Sequence, residues 1–253
     1  MGKTITIANQ KGGVGKTTTA VNLAAALAEK GKRMLILDID PQGNATSGFG
    51  IDKGKLETTI YDVLIREETI ENATVHTDFK VDLVPANIAL AGAEIELVSM
   101  LSREMRIKRA ITPIKENYDY IFIDCPPSLG LLTLNALTAA DTVLIPIQCE
   151  FYALEGVTQL MNTIQLVKHN LNESLDVEGI LMTMFDGRNN LSFEVIAEVK
   201  RNFGKLVYKT YIPRNVRLSE APSYGKPIMM YDKNSKGADS YTELAKEMIR
   251  NGK

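Results

Sequence analysis

Lys11-Gly12-Gly13-Val14-Gly15-Lys16-Thr17-Thr18 follows the alternating run Thr4-Ile5-Thr6-Ile7-Ala8 and leads straight into Thr19-Ala20-Val21-Asn22-Leu23-Ala24-Ala25-Ala26-Leu27. The first run has the period of a strand and the last the residues of a helix. A strand, a glycine-rich loop and a helix, in that order, make a cradle for phosphate. Gly12, Gly13 and Gly15 let the backbone wrap closely around phosphate oxygens, while N–H groups and the helix dipole point at the negative charge. Lys16 would reach the β- and γ-phosphates of a nucleotide and the Thr17 hydroxyl would ligate Mg²⁺, with Val14 and Thr18 completing the loop. The strict G-x-x-x-x-G-K-[ST] pattern fails at its first glycine, where Gln10 stands, and Lys11 adds a second lysine.

Outward from this loop, short apolar runs alternate with longer segments of helical periodicity. That is the pattern of an α/β fold, a doubly wound, mostly parallel sheet flanked by helices. Strands are expected at Thr4 to Ala8, Arg33 to Asp38, Val81 to Val84, Tyr120 to Asp124, Thr142 to Ile147, Glu178 to Met184 and Val207 to Ile212. Helices are expected near Lys16 to Lys30, Thr59 to Ile65, Ala89 to Met100, Arg103 to Glu116, Leu129 to Leu137, Ala153 to Lys168, Leu191 to Asn202 and Asp239 to Arg250. Gly31 suits the C-cap of the first helix, where positive φ is often needed. No Pro-, Gly- or Ser-rich linker marks a boundary, so residues 1–253 are read as a single P-loop domain.

In such sheets ligands sit at the carboxyl ends of the strands. Two acidic segments fall there. Asp38-Ile39-Asp40-Pro41-Gln42 closes the second strand, with Asp38 and Asp40 on one side of it by the period of two. Tyr120-Ile121-Phe122-Ile123-Asp124-Cys125-Pro126-Pro127 is an apolar strand that ends in an acid, and it looks like a Walker B segment in which Asp124 holds Mg²⁺ through water.

The chain carries a net charge of −2, unevenly spread. Residues 188–236 hold ten basic and four acidic side chains, a local +6 that leaves −8 elsewhere. Cys125 and Cys149 are the only cysteines, too widely spaced for a C-x-x-C metal site or a disulfide framework, which fits a reducing cytoplasm. The N-terminus has no basic region followed by an apolar leader, which argues against export. Nowhere does an apolar run approach the length of a membrane-spanning helix, so a soluble protein is expected.

The K-G-G-x-G-K-[ST] loop resembles the deviant Walker A loop of the ParA/MinD ATPases. The likeness extends through D-I-D-P-Q-G-N-A-T-S at Asp38 to Ser47, D-C-P-P-S-L-G-L-L-T at Asp124 to Thr133 and I-P-R-N-V-R-L-S-E-A-P-S at Ile212 to Ser223. It is closest to the Soj-like chromosome-partitioning branch. The resemblance implies slow ATP hydrolysis with Mg²⁺ and an ATP-bound homodimer, in which Lys11 crosses to the partner's phosphates as an arginine finger does. It gives Asp40 the placing or activation of the hydrolytic water, Asp38 a supporting part at the loop or the Mg²⁺ hydration shell, and Pro213 and Asn215 contact with adenine. Arg188 and Arg217 match positions that bind DNA backbone, and Lys200, Arg201 and Lys226 would extend that patch. Implied partners are non-specific double-stranded DNA, a ParB-like centromere-binding protein and, for some relatives, a replication initiator, at a cytoplasmic, nucleoid-associated location.

Three rivals share the scaffold. A MinD-like ATPase cycling on membrane carries a basic, bulky amphipathic C-terminal helix. Here Leu244, Ala245, Met248 and Ile249 make a core-facing stripe with two acids among the polar positions, the pattern of a packed final helix. A nitrogenase-iron-protein-like reductase would share a four-thiolate cluster between subunits, but neither cysteine stands in that family's cluster motif. For a metabolic ligase or kinase, nothing outside the nucleotide motifs suggests a small-substrate site.

Overall fold

Met34-Leu35-Ile36-Leu37-Asp38 is apolar on both faces, as a strand covered from both sides must be, and all five residues are buried. The computed structural model describes residues 2–150 and 153–252. Its strands are β1 Lys3–Ile7, β2 Met34–Asp38, β3 Val75–His76, β4 Val81–Val84, β5 Tyr120–Asp124, β6 Thr142–Gln148 and β7 Asp176–Thr183. They form one sheet in the order β3-β4-β2-β5-β1-β6-β7, parallel except for the β3–β4 pair.

The helices are α1 Lys16–Glu29, α2 Asn44–Gly48, α3 Ile60–Ile65, α4 Ile70–Ala73, α5 Leu90–Glu96, α6 Arg106–Ile111, α7 Leu131–Ala139, α8 Ala153–Asn170, α9 Asn190–Phe203, α10 Val216–Glu220, α11 Ile228–Tyr231 and α12 Lys236–Asn251. Alternation along the strands divides the apolar residues between two cores. Met34, Ile36, Phe122 and Leu144 meet Leu23 and Leu27 of α1 and Leu244 and Met248 of α12 on one face. Leu35, Leu37, Ile121 and Val143 meet Leu64 of α3, Leu97, Leu137 of α7 and Val157 of α8 on the other. This is the doubly wound arrangement the sequence implies. The apolar stripe of α12 is buried, with Leu244 and Ala245 fully covered and the helix lying against α1. Among the described residues no helix is long and apolar enough to cross a membrane.

One expected strand does not form. Residues 207–213 run beside β7 and the residues after it yet make only isolated bridges, Ile180 with Val207 and Phe185 with Pro213. Tyr208 N–H donates to Ile180 and Ile212 N–H to Met182, but the amides of Lys209 and Thr210 between them turn away. Lys209 N–H donates to Glu247 Oε1 at 2.8 Å and Thr210 N–H to Glu247 Oε2 at 3.0 Å, so a buried carboxylate of α12 takes what a ladder would have used. The expected helix over Ala89 to Met100 tightens into a 3₁₀ turn at Leu97–Ser99. That over Arg103 to Glu116 is α-helical only across α6, between 3₁₀ turns, the second of which carries Pro113 near its start. The two-residue β3 and the short α2, α4, α10 and α11 lie below the length that periodicity reveals. Gly31 caps α1 with φ 77°, as expected.

Candidate nucleotide site

The register of the central strands brings the acidic segments together. Asp38 pairs with Asp124 across β2 and β5, and Ile7 pairs with Asp124 across β5 and β1, so both acids and the loop after β1 share one edge of the sheet. In that loop Gly13 and Gly15 have φ of 73° and 88°, a conformation that side chains strain to adopt. Gly12 has no such backbone demand, so only two of the three glycines are needed for the turn itself. Gly15 precedes α1 with no side-chain cap, leaving the first amides of a 14-residue helix open to an anion.

The loop is held from behind by residues far away in sequence. Asn9 Nδ2 donates to Pro146 O at 2.7 Å, and its Oδ1 accepts from Lys11 N–H at 3.0 Å. Gln148 Nε2 donates to Gly13 O at 2.7 Å and Thr183 Oγ1 to Val14 O at 2.8 Å. With those carbonyls turned back and bonded, the loop's amides are free to face the cavity in front. That cavity, of about 310 Å³, is lined among others by Gly13, Lys16, Thr17, Asp40, Asn44 and Pro127. Lys16 is buried, its Nζ bonded to Lys11 O at 3.2 Å. Burial pulls its ammonium below the ordinary lysine range, while the charges of Asp124 and Asp40 act in the opposite direction. Lys11 lies further out, its Nζ 3.0 Å from Glu150 Oε2 in a half-exposed pair.

The three acids occupy different environments. Asp38 is fully buried and saturated: Oδ2 accepts from Thr46 N–H and Oγ1, both at 2.8 Å, and Oδ1 from Asp40 N–H at 3.2 Å. Burial pushes it up to about 6 against those bonds. Thr46 is tied in turn to Ala86 N–H, so Asp38 braces the loop rather than facing the cavity. Asp40 lines the cavity, with Oδ1 accepting from Gln42 N–H at 2.9 Å. Asp124 is wholly buried, and neither oxygen has a hydrogen-bond partner of good geometry, although the Thr17 hydroxyl stands near enough to ease its charge. Burial first, then the neighbouring charge of Asp38, holds Asp124 well above the carboxylate range. An unpartnered buried carboxylate beside the Thr17 hydroxyl is an oxygen donor set that a hydrated Mg²⁺ fits.

A second cavity of about 540 Å³ adjoins the loop at Gly15 and Thr18. Pro213 and Asn215 both line it, with Met184, Ile212, Val216 and Tyr241. Asn215 also caps α10, its Oδ1 accepting from Leu218 N–H at 3.3 Å. Tyr241, buried in α12, reaches Thr19 Oγ1 at 3.2 Å. The two cysteines are buried in the core: burial pushes Cys149 up to about 12 and Cys125 well above its ordinary value.

The basic residues are less closely grouped. Arg188 precedes α9 and is bidentate to Asp186 at 2.9 and 2.8 Å. Lys200 and Arg201 stand near the other end of α9, roughly 15 Å along its axis. Lys200 Nζ lies 5.4 Å from the Tyr211 ring centroid, and Arg201 pairs with Glu198 at 2.6 Å. Arg217 on α10 pairs with Glu220 at 2.9 Å and Asp232 at 3.4 Å. Such surface pairs contribute about 0–1 kcal/mol each. Lys226 borders a cavity it shares with Thr17, Thr18 and Asn44, beside the nucleotide loop rather than along α9.

Sequence reasoning does not reach Asn9, Gln148, Thr183, Tyr241 or Glu247. Gln148 and Thr183 meet their partners across 135 and 169 residues, and nothing local in the chain marks such a bond.

Fold and site together define a P-loop nucleotide-binding protein with a deviant Walker A loop. The family profile described as an AAA domain matches residues 2–177. The chain is 62% identical over its whole length to the sporulation initiation inhibitor protein Soj of Bacillus subtilis (strain 168), covering all of that protein. It is 55% identical over 251 residues to the chromosome partitioning protein ParA of Myxococcus xanthus, covering 99% of this chain and 89% of that one. Among solved structures, cobyrinic acid a,c-diamide synthase from Mycobacterium smegmatis with bound ADP and magnesium superposes with a TM-score of 0.88 at 41% identity, covering 100% of this chain and 96% of that one. The chain belongs to the ParA/Soj family of partitioning ATPases.

Proposed function

We propose that this protein, acting as one domain over residues 1–253, is an Mg-ATP-dependent switch that dimerises on ATP and holds DNA non-specifically as the dimer. In this reading a ParB-like centromere-binding protein releases it by accelerating a slow hydrolysis, and the protein resides on the nucleoid in the cytoplasm. The observation that carries the reading is the second lysine. Lys16 is buried under the loop and serves its own phosphate cavity, whereas Lys11 lies outside that cavity on a weak ion pair with Glu150. A lysine so placed is free to leave Glu150 for negative charge on a second copy.

The remaining residues divide the work. The amides of Gly13 to Thr17 and the Lys16 ammonium hold the phosphates, and Thr17 and Asp124 would hold Mg²⁺, whose charge offsets that of the phosphate oxygens. Asp40 orients the attacking water from the cavity wall, and Asp38 fixes the loop that carries it. Pro213 packs the base. Asn215, with its oxygen committed to α10, offers its NH₂ to the base edge.

ATP at the interface favours the associated state by mass action. Two copies of Arg188 and Arg217 on one particle then neutralise enough phosphate for firm, salt-sensitive binding with little sequence preference. The buried stripe of α12 supports DNA rather than membrane as the surface on which the protein cycles.

The test is co-sedimentation with DNA and, separately, with anionic liposomes, using no nucleotide, ADP, ATP and a non-hydrolysable analogue. ATP-dependent retention on DNA alone is expected. Lys11→Ala should lose both dimerisation, read by light scattering, and DNA retention, while Arg217→Ala should dimerise and release DNA. Normal DNA retention by Lys11→Ala would break the link between the two.

A further inference from the structure

Helix α5 and the residues flanking it are apolar on two opposite sides. Leu90, Ala93 and Leu97 face the core and are fully buried. Ile88, Ala91, Ile95 and Val98 follow the helical spacing i, i+3, i+7 and i+10 on the other side. Ile88, Ile95 and Val98 are 71%, 78% and 60% exposed, and Leu101 just beyond is 89% exposed. Scattered exposed apolar residues are ordinary, but a periodic row of this kind points to a binding surface.

The chain around this row is acidic. Between Ile88 and Glu104 the chain carries Glu94, Glu96 and Glu104 against Arg103 alone, and Glu94 and Glu96 lie on α5 itself. Acidic side chains on an exposed apolar row complement a basic segment with an apolar side of its own better than they complement DNA or anionic lipid.

The start and the middle of α5 each adjoin a loop of the nucleotide site. Ile88 and Ala89 line a groove of about 450 Å³ with Pro41 and Gln42, next to Asp40. Glu94 packs directly on Gly130, which ends the loop running from Asp124 and opens α7. Its buried Oε1 has no hydrogen-bond partner. A carboxylate in that position is set by its charge relative to the α7 N-terminus, and a shift of α5 moves it.

We infer that the exposed side of α5, from Ile88 to Leu101, docks a basic amphipathic segment of the hydrolysis-stimulating partner and passes its binding to the loops of Asp40 and Asp124. This rests on the reading that a centromere-binding protein accelerates hydrolysis. The experiment titrates the cognate centromere-binding protein into a DNA-containing ATPase assay with wild type, the double variant Ile95→Ser/Val98→Ser, and Glu94→Gln.

The double variant should need at least ~tenfold more partner for half-maximal stimulation, with intrinsic turnover, melting temperature and DNA retention unchanged. Glu94→Gln should keep the half-maximal concentration and lower the plateau, the mark of a positioning residue. Wild-type stimulation with an unchanged midpoint in the double variant overturns the docking surface and leaves the partner reading intact. No stimulation of the wild type overturns that reading and the docking with it. Loss of ATP-dependent dimerisation in the double variant would reassign the surface to a second copy of this chain and overturn the proposal.

Discussion

Glu247 ties the C-terminal helix to the segment that leads into Pro213 and Asn215 at the wall of the second cavity, and its removal should be costly. Its carboxylate accepts from Lys209 N–H at 2.8 Å, Thr210 N–H at 3.0 Å and Thr210 Oγ1 at 2.7 Å. Hydrogen bonds to a charged group contribute about 1.5–3 kcal/mol each. Lys209 is exposed and Thr210 half-buried, so water replaces part of that loss once the side chain is gone. Glu247→Ala should therefore destabilise by about 2–4 kcal/mol in total, not by the full sum. For a chain of this size that lowers the melting temperature by roughly 5–15 °C.

Thermal unfolding in the absence of nucleotide gives the stability, and Glu247→Gln, which keeps the shape and one acceptor, should fall between. Pro213 and Asn215 lie three and five residues beyond Thr210. A loosened strap should thus weaken ATP binding more than binding of inorganic triphosphate, which needs only the loop. A Glu247→Ala protein within about 0.5 kcal/mol of wild type would refute the claim that this carboxylate replaces the missing strand ladder.

The other predictions concern the phosphate cavity. Asp40→Ala should bind Mg-ATP normally and hydrolyse it about 10²-fold more slowly or worse, since the cradle stays and the water-orienting carboxylate goes; a wild-type rate would sink the assignment. Lys16→Ala should lose affinity for a labelled ATP analogue, and unchanged equilibrium binding would reject its place at the phosphates. Asp124→Asn should make the nucleotide-free protein more stable at neutral pH by about 1–3 kcal/mol, because an amide needs no proton taken up from solvent to sit uncharged in the buried site. In the wild type the folded state holds the Asp124 proton more tightly than the unfolded chain does. Its stabilising contribution is thus complete below the unfolded pKa and is lost as pH rises through the raised folded value. Melting curves from pH 5 to pH 8 should show a shallower decline for Asp124→Asn, and parallel curves would contradict this.

The layered α/β fold and the phosphate loop are legible in the chain because both are written in local order. Strand periodicity, glycine spacing and a lysine at the mouth of a helix act over a few residues, and each limits what the backbone can do. Asp38, Asp40 and Asp124 were legible for the same reason, as acids closing apolar strands. Tertiary structure alone decided how they differ: Asp38 saturated by Thr46, Asp40 on the cavity wall, Asp124 buried without a partner. It decided that Gln148 and Thr183 hold the loop's carbonyls, and that Glu247 turns an expected strand at 207–212 into a strap. It also placed two apolar sides on α5, one against the core and one exposed. A hydrogen bond across 130 residues leaves no mark on the local pattern at either end, and burial depends on what the rest of the chain packs against a side chain.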